Sequence, residues 1–327
     1  MVRPARRALP GAQLLLALLL VLPALLTGCS FFTASLFPGY LAQAEASFDL
    51  GPRVDDFLSG QDYPWHSEVF VLRTAAGVDY GAVLIGIENL PYKLLMLVGP
   101  TGGVQELSSQ SLGRLHLTDA SGRFVVGNLA FDPATLPAFS ILGITNYYAL
   151  GFSAGTNNYL LWTESATSNS LQFARYGAGW GGATNNSAQL DTNYGYELRG
   201  VCYDQGAAGK EVILVLFNYN YNRVVVLFTP AAGFDGTVTF ITPLLSNYQH
   251  LELENVDASN VRYTRKGIVV ADWDGRAVLK DFSGADTGKG LDLGQRQEVR
   301  VAFDLEGNNF FAFNAEDRIL YRGKTGW

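Results

Sequence analysis

The sequence predicts an all-β fold of the propeller type, expected as six blades of four strands behind an N-terminal signal helix and a tether. Three observations lead there. Gly is abundant (36 residues), and Tyr and Phe are frequent, so apolar and aromatic runs are cut repeatedly by turn formers, as in chains of many short strands. Helix-period stretches are scarce after the first 28 residues. A strand–turn–strand–turn–strand unit recurs six times, its middle strands starting near residues 82, 124, 159, 212, 268 and 309. The steps are uneven but bracket the roughly 40–50 residues of a four-stranded propeller blade.

The last unit is the clearest. Residues 299–304 read as a strand, 305–308 as a turn, 309–313 as a second strand, 314–317 as a polar turn, and 318–321 as a third strand. The same layout is read at 261–264, 268–273 and 277–282, and at 200–204, 212–217 and 223–228. It is read again at 147–152, 159–163 and 171–176. The two earliest units lie at 115–118 and 124–129, and at 69–73, 82–87 and 93–98. One such unit leaves both sheet faces bare, so neighbours must stack and the ring must close.

The last unit supplies three strands before the chain ends at Trp327. Residues 46–50 are expected to add the fourth and so close the ring by joining the two chain ends in one blade. Alternatives are five or seven blades, or a pair of β-sandwiches. Phe303-Asp304-Leu305-Glu306-Gly307-Asn308 with Arg318-Ile319-Leu320 resembles a blade of the NHL-type six-bladed propellers over about 25 residues. The resemblance implies the fold and no activity, because propellers host many functions.

The N-terminus has the order of a cleaved export signal: Arg3, Arg6 and Arg7, then an apolar run over 14–26, then small residues. Pro23 interrupts the run, which is short for a bilayer span of roughly 20 residues. Leu26-Thr27-Gly28-Cys29 matches every position of the lipobox and so resembles the bacterial lipoproteins. In that family the cysteine receives a diacylglycerol and the chain is cut just before it. The resemblance implies a signal peptide at 1–28, lipidation of Cys29, and attachment to the membrane through lipid. Acyl chains hold by about 0.8 kcal/mol per buried methylene. Ser30, not Asp, follows the cysteine, which in lipoprotein sorting favours the outer membrane over the inner, at a periplasmic or surface face. A tether is expected over 29–45, with a short helical piece near 40–46, and the propeller over 46–327.

The whole chain carries a net charge of −7, and the signal removes three arginines and no acid. An acidic mature domain is a poor partner for nucleic acid. With Cys29 lipidated, Cys202 has no disulfide partner. It lies in an apolar Val201-Cys202-Tyr203 context that reads as a buried, inert thiol.

Motifs of chemistry are incomplete. Gly151-Phe152-Ser153-Ala154-Gly155 fits the serine-hydrolase elbow, which requires a helix after the serine. Residues 156–162 read instead as turn and strand. Gly177-Ala178-Gly179-Trp180-Gly181-Gly182 fits a dinucleotide fingerprint, but 183–187 read as a loop where a helix is required. Asp272-Trp273-Asp274-Gly275 reads as a hairpin turn and not as a calcium loop. His66, His116 and His250 lack metal-ligand spacing. No catalytic residue, metal or cofactor is therefore assigned.

What remains is aromatic loops. Tyr219 and Tyr221 alternate with asparagines, Trp180, Tyr194 and Tyr196 lie in a second region, and Tyr248 follows Asn247 in a third. Exposed Tyr and Trp beside Asn is a composition of protein interfaces and also of sugar-stacking surfaces. The expected function is a non-enzymatic binding or scaffolding module at the cell envelope, with an envelope protein or a glycan as partner. The alternatives are a propeller-type hydrolase or lactonase with an axial cation, and a carbohydrate-binding surface protein.

Overall fold

The structure is a computed structural model that describes residues 44–59, 65–144, 149–163, 170–189, 197–204, 211–218, 223–229, 239–240, 261–271, 276–281, 285–293 and 298–327. The strands form four-stranded antiparallel sheets. The first contains β2 (Trp65–Arg73), β3 (Asp79–Ile87), β4 (Lys93–Val98) and β5 (Val104–Ser109). The second contains β6 (His116–Thr118), β7 (Phe124–Val126), β8 (Leu129–Phe131) and β9 (Ser140–Ile141). The third contains β10 (Leu150–Ala154), β11 (Asn157–Thr163), β12 (Ser170–Gly177) and β13 (Thr184–Gln189). The fourth contains β14 (Glu197–Asp204), β15 (Glu211–Asn218), β16 (Arg223–Thr229) and β17 (Thr239–Phe240). The fifth contains β18 (Val261–Thr264), β19 (Gly267–Ala271), β20 (Arg276–Lys280) and β21 (Asp286–Asp292). The sixth contains β22 (Val299–Phe303), β23 (Asn309–Asn314), β24 (Ile319–Lys324) and, outermost, β1 (Ala44–Asp49).

These sheets are the blades of a propeller. Each first strand lies beside the first strand of the next sheet: β2 by β6, β6 by β10, β10 by β14, β14 by β18, β18 by β22, and β22 by β2 again. Along each meander, the turns from first to second and from third to fourth strand fall on one face of the ring, here the turn face. The turns from second to third strand, and the connections between sheets, fall on the other, the loop face.

The ring explains why the second strands are apolar at successive positions through their middles. In β3, Val83, Ile85 and Ile87 pack toward the sixth sheet with Phe311 and Phe313. Ala82 and Leu84 pack toward the second sheet with Phe70, Phe124 and Phe131. Alternate residues of a strand face opposite ways, so a strand between two neighbours buries both sets. Leu115, Leu117, Val125 and Leu160 fill the next interface, and Val269, Leu279, Val301 and Phe310 fill the one between the fifth and sixth sheets. Gly81 shows how close the packing is: a Cβ there would lie 2.2 Å from the Phe311 ring.

The turn face is stitched by hydrogen bonds between sheets. Thr118 Oγ1 donates to the Arg73 carbonyl at 2.7 Å, and Ser153 Oγ donates to the Thr118 carbonyl at 2.7 Å. Ala120 N donates to Asn158 Oδ1 at 2.8 Å. Arg265 meets Glu306 at 2.6 Å, and Lys266 Nζ donates to Asn308 Oδ1 at 2.7 Å. Gly307, at φ 66°, adopts a backbone that disfavours side chains and sits against Thr264 of the fifth sheet.

Closure joins the chain ends. β1 pairs antiparallel with β24, from Ala44 opposite Gly323 to Asp49 opposite Ile319. The strand expected at 46–50 thus lies at 44–49. Helix α1 (Gly51–Leu58) follows at once, a helix that the sequence reading did not include. Pro52 suits its first turn, and Val54 and Leu58, four residues apart, are buried with Leu50 against the first and sixth sheets. Arg318 is ion-paired with Asp55, and Arg53 reaches Glu106 at 3.2 Å.

Two local expectations need correction. The helical piece near 40–46 is overruled where it is described, since residues 44–46 belong to β1: pairing with β24 outweighs the helix preference of Ala and Glu. The loop at 183–187 is mostly strand, because Thr184–Gln189 pairs with β12 as the third sheet's outer strand, and ladder bonds prevail over an Asn-rich composition.

Candidate functional site

The end of the central strands toward the loop face carries a group of ionisable side chains from the first two sheets. His66, Glu68 and Phe70 occupy alternate positions of β2 and share one face. His66 is paired with Gly86 of β3, and Gly86 with Lys93 of β4, so His66 and Lys93 flank a position without a side chain. The His66 imidazole fills that space: a Cβ on Gly86 would lie 2.5 Å from its Nε2.

From the second sheet, His116 stacks on Phe70, with centroids 4.2 Å apart and an angle of 17° between planes. Its Nδ1 lies 3.0 Å from the Arg114 carbonyl. A carbonyl only accepts, so Nδ1 carries the proton and Nε2 of the neutral ring is an acceptor. Burial lowers the His116 pKa from 6.5; nearby Glu68 and the hydrogen bond to the Arg114 carbonyl oppose this, and the charges of Arg262 of the fifth sheet and of Arg114 reinforce it. Burial and then the Lys93 charge lower the His66 pKa, against Glu68 and Glu88. Burial lowers the Lys93 pKa, opposed by Glu68 and reinforced by Arg114.

The cluster therefore offers a neutral imidazole acceptor, a carboxylate and two cationic donors above an apolar interface. That arrangement suits a small polar group bearing both donors and acceptors. Among the described residues, no three His, Cys, Asp or Glu side chains are grouped to hold a metal ion. Beside the cluster, the β3–β4 turn exposes Leu90 (48%) and Tyr92 (54%).

Trp180 is the one aromatic candidate within the described residues, and it lies on the turn face. It sits at φ 64° in the β12–β13 turn. Its indole N–H donates to Asp119 Oδ2 of the second sheet at 3.1 Å. Its ring packs 5.5 Å from Tyr176 and against the core between the second and third sheets. This is an inter-blade contact. Tyr194, Tyr196, Tyr219, Tyr221 and Tyr248 lie outside the described residues, as do Cys29, His250, Asp272 and Asp274. The described ends of the Tyr219–Tyr221 segment, Asn218 and Arg223, are paired at the loop-face end of β15 and β16, the topological counterpart of the turn carrying Leu90 and Tyr92.

Ser153 stands within β10, followed by a turn at Gly155 with φ 58°, and its hydroxyl is committed to Thr118. No helix follows it, so the elbow geometry is absent. Cys202 lies on β14 opposite Ile213. The group of His66, Glu68 and His116 was missed in the sequence because the histidines are 50 positions apart. The available signal was the i, i+2 spacing of His66 and Glu68 on a first strand, combined with the placement of His116 on the next first strand.

No protein-family model and no curated protein matches the chain. A solved structure of prolyl oligopeptidase B from Galerina marginata, in its apo form, is similar at 10% sequence identity with a TM-score of 0.40. The similarity covers 79% of this chain and 43% of that one, so this chain spans less than half of that protein's length. Likeness at that level carries nothing about activity. The paired strands and the succession of first strands around the axis are what make this chain a β-propeller.

Proposed function

We propose that the protein is a lipoprotein of the bacterial cell envelope, anchored through lipid on Cys29, whose propeller is a non-enzymatic binding module presenting its loop face to a protein partner. Leu26-Thr27-Gly28-Cys29 supports the anchor. The observation that supports the binding face is the exposed pair Leu90 and Tyr92, beside a cluster of ionisable side chains on a ring face. Large apolar side chains beside polar groups on one face are a mark of interaction surfaces. Ala44, where the tether would join, pairs with Gly323 at the turn-face end of β24, opposite the loop face. Asn218 and Arg223 are paired at the loop-face end of β15 and β16, and we read Tyr219 and Tyr221 between them, with Tyr194, Tyr196 and Tyr248, as extending the surface.

The test is cross-linking of the native lipoprotein in intact envelopes, read by mass spectrometry, with Cys29→Ser as a companion. Links from one protein to loop-face residues, and release of Cys29→Ser from the membrane fraction, are expected. Retention of Cys29→Ser in the membrane would refute the anchor. Reproducible links confined to the turn face would refute the orientation, and binding to glycans alone would replace the protein partner with a sugar.

A further inference from the structure

We infer that the outer edge of the second sheet, strand β9, is a strand-addition site for an extended, uncharged peptide segment of a partner protein. Phe139 and Ile141 are 44% and 70% exposed. They are two residues apart and so lie on one side of the strand. The ladder shows where the backbone groups of this edge point. Leu142 N donates to the Asn128 carbonyl at 2.7 Å, and β9 pairs Ser140 with Ala130 and Ile141 with Leu129. In an antiparallel ladder hydrogen-bonded and open pairs alternate. Ser140 therefore shares the bonded pair with Ala130, and the N–H and C=O groups of Phe139 and Ile141 point off the sheet.

Open edges are usually guarded by charge. Among the outer strands, β1 carries Glu45 and Asp49, β5 carries Glu106, and β21 carries Asp286, Lys289 and Asp292, whereas β13 and β17 are uncharged like β9, β13 being polar at all but Ala188. Around β9 no charged residue occurs from Pro133 to Thr163. In a chain of net charge −7, this is a neutral apolar edge with free backbone valence. The backbone selects an extended segment, the alternate Phe139 and Ile141 select apolar residues at every second position, and the missing charge selects a neutral one.

A second copy pairing through its own β9 is the competing occupant, and the experiment separates the two.

The experiment places the photoreactive residue p-benzoylphenylalanine at Phe139, at Ile141 or at Tyr92 in the full-length lipoprotein, followed by irradiation of intact envelopes and mapping of the linked residues. Positions 139 and 141 are expected to link to one partner segment, at sites two residues apart and in reversed order. Ile141→Lys and Ile141→Pro in the Phe139 probe background are expected to reduce the linked yield at least tenfold. The proline removes only an outward-facing N–H, and the lysine variant, with unchanged thermal unfolding, covers the case in which proline disturbs the sheet. Links from 139 and 141 only to a second copy, or no links there while Tyr92 links to a protein, would overturn the edge site and leave the loop-face reading standing. Absence of links at all three positions would remove both.

Discussion

Asp119 holds the turn of the second sheet together, and its removal has a calculable cost. Its side chain is 0% exposed. Oδ1 accepts from Ser121 N and Arg123 N, each at 2.9 Å. Oδ2 accepts from Arg123 Nε at 3.0 Å, Arg123 Nη2 at 2.9 Å and Trp180 Nε1 at 3.1 Å. Asp119→Ala strands all five donors and leaves a guanidinium without its anion. Removing one partner of a buried ion pair costs about 3–5 kcal/mol. Arg123 is 33% exposed and can recover water, which places this site near the lower end, about 3 kcal/mol. At roughly 2–4 °C per kcal/mol for a domain of this size, the melting midpoint should fall by about 6–12 °C. Trp180→Phe retains the ring packing and removes one bond to a charged acceptor, a loss of about 1.5 kcal/mol. The assays are thermal and urea unfolding followed by circular dichroism, on both single variants and the double variant. The double should be more stable than the sum of the singles predicts, because Trp180→Phe has nothing left to remove once the carboxylate is gone. A fall of less than about 2 °C for Asp119→Ala would refute the account, as would strict additivity.

Three further outcomes are expected. Leu50→Ala, at the buried junction of β1 and α1, should cost about 2–5 kcal/mol in urea unfolding, because it empties the closure seam. Gly81→Val should destabilise by about 1–3 kcal/mol through overpacking on Phe311, and Phe311→Ala introduced with it should return part of that loss in the same assay. Stability should decline on acidification through the histidines. Both are harder to protonate folded than unfolded, so they cost nothing above pH 6.5, and the penalty grows as pH falls through 6.5 until the lowered folded value is passed. The melting midpoint of His116→Asn should therefore change less between pH 7.5 and 5.5 than that of the parent.

The strands and turns of this protein were legible in the sequence because they are local. The second strands 82–87 and 309–313 are read from largely apolar runs, and the structure begins the corresponding strands at Asp79 and Asn309, whereas the expected strand 124–129 is divided by a turn at Gly127-Asn128 into β7 and β8. Turn signals such as Asp119-Ala120-Ser121-Gly122 are equally local, since the carboxylate caps its own turn. The need for a strand from the N-terminal side followed from a three-stranded last unit. Composition misled where a long-range ladder opposed it, at Thr184–Gln189 and at residues 44–46, because the free energy of pairing comes from a strand that a local window does not contain. Helix α1 was missed for a related reason. It has only eight residues, too few to be stable alone, and it exists because Val54 and Leu58 have a core to enter.

The candidate cluster and the job of Trp180 belong wholly to the tertiary structure. The sequence determined that the chain repeats a strand unit, carries a lipobox-like tetrapeptide and has an uncharged stretch from Pro133 to Thr163. Only the ring decided that His116 would stack on Phe70, that the space over Gly86 would hold His66, that the indole of Trp180 would serve Asp119, and that the uncharged stretch would include an open sheet edge. Those facts depend on register between strands and on which sheet stands beside which. Both are fixed by the sum of many apolar contacts across the ring, and no spacing along the chain records that sum.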